Sequence, residues 1–114
     1  MDALTLFSEP PAGLFDLPAH RLAEVLPGPS VVCIPGVGRP IFLSVLLHGN
    51  ETSGWTGVCR YVCQQTGNHR PLLLFIANVA AAAADVRALP GQQDYNRIWH
   101  GATGAEAALA EHVI

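Results

Sequence analysis

Residues 41–54 read IFLSVLLHGNETSG, and this stretch decides the fold. Its apolar part, 41–47, is nearly continuous rather than alternating, which predicts a central strand buried on both faces. After the polar turn, apolar residues recur at helical spacing and predict an amphipathic helix that ends near Gly67; they are Trp55, Val58, Cys59, Val62 and Cys63. A further apolar run at 72–77 predicts a second strand, parallel to the first because a helix connects them.

The predictions on either side of this strand-helix-strand unit rest on shorter patterns. Residues 1–29 are expected to be an irregular, proline-rich lead-in with a short helix at 19–26, and 30–35 are predicted to form a strand. The alanines at 80–84 predict one or two helical turns. A capping box at 103–106 opens a last helix whose apolar pattern runs to Ile114. We therefore expect an α/β fold, and expect residues 1–114 to be the N-terminal portion of one longer domain.

Composition narrows the classes of function. The chain has 114 residues, of which 50% are hydrophobic and 13% charged, so its composition is typical of a folded protein. There is no lysine and no basic cluster, which argues against nucleic-acid and anionic-membrane partners. The odd count of three cysteines argues against a disulfide framework and favours a cytoplasmic location. The first residues predict no signal peptide, and 41–47 is shorter than the roughly 20 residues that span a bilayer.

The first candidate site is the polar turn at 48–54. It follows the carboxyl end of a predicted strand, where ligands bind in open α/β sheets. His48 and Glu51 stand three residues apart there, and they offer half of the two-histidine, one-glutamate ligand set of a catalytic zinc site. Gly49 would keep a side chain away from the ion. The alternative is structural, because any strand-to-helix turn favours polar residues.

The second candidate site combines Arg87 with the segment Asp94, Asn96 and Arg97. Arginine binds carboxylates through two parallel hydrogen bonds. Asp94 could orient an arginine, and Asn96 would add donors for a carboxylate or an oxyanion. The alternative is a solvated loop with an Asp–Arg ion pair of little energetic value.

Together the two clusters resemble a known family. The motif HGNETSG at 48–54, preceded by an apolar strand, resembles the zinc motif of the succinylglutamate desuccinylase/aspartoacylase family of zinc-carboxypeptidase-like hydrolases. The strand that ends at Asn78, then Arg87, then DYNRIW at 94–99 resemble that family's second block in order and spacing. One departure is Val79, where the family usually has proline. The resemblance covers about residues 30–100 and implies a three-layer α/β/α fold with a mixed, largely parallel sheet.

The resemblance implies that His48 and Glu51 are zinc ligands. It assigns substrate binding to three residues of the second block: Arg87, Asn96 and Arg97. The implied activity is zinc-dependent hydrolysis of an amide bond in an N-acyl amino acid or a similar small, carboxylate-bearing molecule. The family's third zinc ligand and its general base come later in the sequence, so no catalytic residue is expected within 1–114 and this chain alone should be inactive.

A second hypothesis is a non-catalytic α/β binding or assembly module in which the His-x-x-Glu turn is structural. An incomplete sheet exposes strand edges and apolar faces, which favours association. A homo-oligomer is therefore compatible with either hypothesis, and zinc binding distinguishes them.

Overall fold

A computed structural model of the chain describes residues 4–64 and 69–92, which contain a mixed four-stranded sheet and two α-helices. The strands are β1 (Thr5–Phe7), β2 (Ser30–Ile34), β3 (Ile41–Val45) and β4 (Leu72–Ile76), and they lie in the order β1-β2-β4-β3. The helices are α1 (Ser53–Gln64) and α2 (Val79–Ala83), and two 3-10 turns span Leu14–Asp16 and Ala19–Glu24. The predicted α/β fold with a mixed sheet is confirmed.

The strand-helix-strand unit forms as predicted, with β3 and β4 parallel and α1 between them in sequence. β2 is antiparallel to β4, and its first residue, Ser30, is opposite Ile76. Val45 of β3 is also opposite Ile76. The carboxyl ends of β3 and β4 therefore lie together at one edge of the sheet, here called the site edge. The loop that leaves β3 there carries His48 and Glu51, and the segment that leaves β4 continues through α2 to Arg87.

The surroundings of β3 differ from the prediction. A central strand was expected at 41–47, but β3 is an edge strand whose Phe42 and Leu43 side chains are 46% and 38% exposed. β4 is instead an interior strand of the sheet, beside β2, and it is largely buried. The reason is the pairing, since β4 occupies one side of β3 and no residue in 4–64 or 69–92 pairs with the other side. An apolar run predicts a strand but does not say how many neighbours the strand has.

The N-terminal segment is more ordered than the expected irregular lead-in. β1 pairs in parallel with β2, and the amide of Thr5 donates to the carbonyl of Pro29 over 3.0 Å. Three residues are too few for a recognisable strand pattern. The helix predicted at 19–26 is a 3-10 helix, Ala19–Glu24. Proline on either side of it leaves too few residues for a well-nucleated α-helix.

The core joins the sheet to this N-terminal segment. The turn Leu14–Asp16 contacts α1, and the turn Ala19–Glu24 contacts α2. The largest buried apolar side chains come from both parts of the chain: Leu14, Leu22, Leu26, Leu74, Phe75, Ile76 and Trp55. The helix predicted from Thr103 lies outside the described residues. Within 4–64 and 69–92, neither helix is long and apolar enough to cross a membrane.

Candidate metal and substrate site

His48 and Glu51 meet in the loop that follows β3. Nδ1 of His48 donates a hydrogen bond to Oε1 of Glu51 over 2.6 Å. The amide of Glu51 also donates to the carbonyl of His48 over 3.1 Å, which closes the turn between them. The His48 side chain is buried, whereas that of Glu51 is 65% exposed. The imidazole is thus fixed by its surroundings, and the carboxylate reaches it from the solvent side.

The turn that places His48 begins at Leu46. Its φ of 57° lies in the left-handed region, which β-carbon sterics disfavour for any residue but glycine. Leu46 is nevertheless buried, and its carbonyl accepts a hydrogen bond from the amide of Asn78 over 2.9 Å. Burial and this bond hold the unusual conformation. β3 therefore ends at Val45, two residues earlier than predicted, and the chain turns sharply toward His48.

Gly49 packs closely against the backbone of α2 and of the loop after it. A β-carbon at this position would lie 2.4 Å from the carbonyl carbon of Ala81 and 2.5 Å from the carbonyl oxygen of Val86. From sequence, Gly49 is expected to keep a side chain away from an ion, and the structure adds a steric reason for glycine. The Gly49 amide also donates to the carbonyl of Arg87 over 2.9 Å. The loop after β3 is therefore bonded directly to the loop after α2.

Asn78 connects the end of β4 to this second loop. Its side chain is buried, and Oδ1 accepts from the amide of Ala81 over 3.2 Å, so that Asn78 caps α2 in spite of the valine that follows it. Nδ2 donates to Oε1 of Gln92 over 2.9 Å. From sequence, Asn78 is expected only to end a strand, and no sequence feature indicates a role for Gln92. An asparagine just before an alanine run is an N-cap pattern that could have indicated the first contact.

The structure brings part of the predicted site together. His48, Glu51 and the backbone of Arg87 lie in two loops joined by a hydrogen bond, and the Arg87 residue is exposed. Three further predicted residues lie outside the described part of the chain: Asp94, Asn96 and Arg97. The first cluster and the first residue of the second cluster are thus neighbours at the site edge.

The donor atoms of His48 and Glu51 suit one half of a zinc site. Ligand atoms of a tetrahedral zinc ion lie about 3.4 Å apart, from bond lengths near 2.1 Å. Zinc would take the place of the proton on Nδ1, and the 2.6 Å contact would have to open slightly, which the exposed Glu51 carboxylate can do. Among residues 4–64 and 69–92, no group of three or more histidine, cysteine, aspartate or glutamate side chains could hold a metal ion. The described residues thus offer two ligands of a set that needs a third.

The surroundings of Cys59 do not favour a reactive thiol. Burial raises the pKa of the Cys59 thiol, and the neighbouring Cys63 and Asp16 raise it further. A thiol with a raised pKa stays protonated at neutral pH and is a poor nucleophile and metal ligand. Cys59 is partly buried, as the helical pattern predicts, whereas Cys63 is exposed. These observations favour a packing role for Cys59.

Comparison with known proteins gives no family assignment. No family model matches the chain, and searches of curated proteins and of solved structures found no match. The function of the chain is therefore inferred from its residues and their geometry.

Proposed function

We propose that this chain supplies the metal-binding half of a zinc-dependent hydrolase that cleaves the amide bond of an N-acyl amino acid or a similar carboxylate-bearing substrate. The observation that carries the proposal is the 2.6 Å contact between His48 Nδ1 and Glu51 Oε1 at the site edge. A histidine and a carboxylate that converge at the carboxyl end of a strand suit a zinc ion in an open α/β sheet. Bound zinc would polarise the scissile carbonyl and lower the pKa of a water.

The other residues of the proposed site bind the substrate. Arg87 is exposed, and its backbone is bonded to the loop of His48, so a carboxylate held by its guanidinium would lie near the metal pair. Asn96 and Arg97 are proposed to extend this carboxylate site, with Asp94 in support. We assign no catalytic base to the described residues. A three-layer zinc-carboxypeptidase-like architecture and a cytoplasmic location belong to the same proposal.

Zinc titration of the chain tests the metal assignment. We expect binding by the wild-type chain in calorimetry, and a loss of at least about tenfold in affinity for His48→Ala and for Glu51→Gln, because even indirect supports of a zinc site are worth that much. His20→Ala is the matched control, since His20 is an exposed histidine in the turn Ala19–Glu24. It should leave zinc affinity unchanged.

Two results of this titration would count against the proposal in different ways. A wild-type chain that binds no zinc contradicts the proposal that this chain supplies the metal-binding half of the enzyme. Zinc binding that His48→Ala and His20→Ala weaken equally contradicts the assignment of His48 as a ligand. Circular dichroism of each variant shows whether the fold is retained, so that a lost ligand is not confused with a lost structure.

A non-catalytic assembly module is the second candidate function, and the outer edge of β3 favours it. An open apolar groove of about 340 Å³ lies between β3 and α1; its lining residues are Ile41, Leu43, Gly54, Gly57, Val58, Tyr61 and Leu72. β3 itself contains no charged residue and no proline, and such edges pair with other strands. In this alternative a second copy of the chain pairs along β3.

Leu43→Glu tests the assembly hypothesis. Leu43 is 38% exposed on β3, and a charge on an edge strand opposes pairing with another strand. If β3 mediates association, sedimentation should show a wild-type dimer that Leu43→Glu converts to monomer. Val37→Glu is the control, because Val37 is a 65% exposed apolar residue outside the sheet. A wild-type chain that is monomeric at every concentration contradicts this second function.

A further inference from the structure

We propose that Asn78 and Gln92 form a positioning pair that fixes the loop carrying Arg87, and that they thereby set the affinity of the site for a carboxylate. This inference rests on the proposed function, since Arg87 is its substrate-binding residue. Neither Asn78 nor Gln92 is assigned a contact with substrate or metal. Both act through the backbone that holds Arg87.

Asn78 fixes both ends of the segment that follows β4. Its Oδ1 accepts from the amide of Ala81 over 3.2 Å, which holds the start of α2, and its Nδ2 donates to Oε1 of Gln92 over 2.9 Å. The Asn78 side chain is only 2% exposed. A buried amide with both of its ends paired has one stable orientation, because turning it would leave buried polar atoms without partners.

Gln92 closes the loop after α2 at its base. Its Oε1 accepts a second hydrogen bond, from the amide of Leu89 over 2.8 Å, and the Gln92 amide donates back to the carbonyl of Leu89 over 3.1 Å. Pro90 and Gly91 stand between these residues, and the φ of Gly91 is 86°. Proline followed by a glycine with positive φ is the residue pattern of a type II turn. One side-chain oxygen thus joins this turn to the end of β4.

Two further backbone hydrogen bonds hold the loop, one at Val86 and one at Arg87 itself. The amide of Val86 donates to the carbonyl of Ala81 over 3.0 Å, and the carbonyl of Arg87 accepts from the amide of Gly49 over 2.9 Å. The first bond ties the loop to α2, and the second ties it to the loop of His48. Together with Leu89 and Gln92, these bonds fix the backbone immediately before, at and after Arg87.

A fixed Arg87 backbone defines a fixed region for its guanidinium relative to His48 and Glu51. A substrate held at both places must have its carboxylate at a matching distance from the scissile carbonyl. If the bonds to Gln92 are lost, Arg87 remains present but its backbone is ordered from one side only. The loop must then become ordered when the substrate binds, and the free-energy cost of this ordering lowers the affinity for the substrate. The inferred ligand class is therefore an acyl amino acid whose carboxylate is recognised by a preordered loop.

The test compares two substitutions of Gln92. Gln92→Met removes the acceptor but keeps an unbranched side chain, whereas Gln92→Glu retains an oxygen that can accept from both Asn78 and Leu89. Gln64→Met is the control, because Gln64 is an exposed glutamine at the end of α1. The probes are N-acetylglycine and its neutral counterpart N-acetylglycinamide, titrated into each full chain while the Arg87 amide is followed by nuclear magnetic resonance. Hydrogen exchange of the Gly49 and Leu89 amides is measured in parallel.

We expect Gln92→Met to weaken N-acetylglycine binding about three- to tenfold, the value of one to two lost hydrogen bonds, and to speed exchange of the Leu89 and Gly49 amides. Gln92→Glu should restore both properties, Gln64→Met should change neither, and N-acetylglycinamide should bind weakly to all variants. Zinc affinity should fall less in Gln92→Met than N-acetylglycine affinity, because Gln92 bonds to Asn78 and Leu89 and not to the loop of His48.

The positioning role is overturned if Gln92→Met leaves N-acetylglycine affinity unchanged, whether or not amide exchange speeds up. It is also overturned if Gln92→Glu behaves like Gln92→Met, because the loss would then not come from the missing acceptor. Failure of the proposed function has a different signature, namely a wild-type chain that binds no zinc. That result leaves the carboxylate comparison between Gln92→Met and Gln92→Glu intact.

Discussion

Gly49→Ala is expected to lower the free energy of unfolding by about 3 kcal/mol or more, the upper range for inserting an atom into a well-packed interior. The added β-carbon would lie 2.4 Å from the carbonyl carbon of Ala81 and 2.5 Å from the amide nitrogen of Ala82. Both are backbone atoms of α2, so no side chain can rotate away to relieve the overlap. Either the loop of His48 or α2 must move.

The movement would also disturb the candidate site. Gly49 lies next to His48, and its amide donates to the carbonyl of Arg87 over 2.9 Å. Separating the loop from α2 breaks that bond and shifts the imidazole relative to Glu51. We therefore expect the fraction of Gly49→Ala that remains folded to bind zinc more weakly than wild type.

Gly57→Ala is the matched control for this prediction. No atom lies within 4 Å of a β-carbon at Gly57, which is in the middle of α1. Alanine in a helix interior is favoured over glycine by up to about 1 kcal/mol, so this variant should be slightly more stable than wild type. Urea unfolding followed by circular dichroism measures both changes. Equal stability of the two variants would contradict the close packing of the His48 loop on α2.

Short-range patterns in the sequence predicted the parts of this fold that depend on neighbouring residues. The spacing of apolar residues after the turn predicted α1, and the connection through a helix predicted that β3 and β4 are parallel. The same reasoning placed His48 and Glu51 near one another, since three residues across a strand-to-helix turn leave little room for separation. Their side chains do meet, over 2.6 Å.

Features that depend on distant parts of the chain were not predictable in this way. Nothing within 41–47 indicates that β4 and not β3 is an interior strand, because that depends on pairing with β2. The left-handed conformation of Leu46 depends on burial and on a hydrogen bond from the amide of Asn78, which lies far from Leu46 in the sequence. The turn residues Pro90 and Gly91 precede Gln92, but no local pattern indicates that its side chain reaches the distant Asn78.

Trp55→Ala is expected to cost about 3–5 kcal/mol of stability, the range for truncating a buried aromatic side chain. Trp55 is 2% exposed, and its ring stacks on that of Phe15 with the centroids 5.8 Å apart. Its Nε1 donates to the carbonyl of Leu17 over 2.8 Å. This one side chain therefore joins the first turn of α1 to the N-terminal segment, through both packing and a hydrogen bond.

Trp55→Phe separates these two contributions, because phenylalanine keeps an aromatic ring at the contact with Phe15 but leaves the Leu17 carbonyl without its donor. We expect it to cost about 1–3 kcal/mol, the penalty for an unpaired polar group together with some lost packing. Urea unfolding should be followed by far-ultraviolet circular dichroism, since tryptophan fluorescence changes in both variants.

Because Trp55 lies about one helical turn after Glu51, Trp55→Ala should also weaken zinc binding, whereas Trp55→Phe should retain it. If the two variants are equally stable, the indole hydrogen bond to Leu17 and not the packing of the buried ring on Phe15 holds α1 to the N-terminal segment.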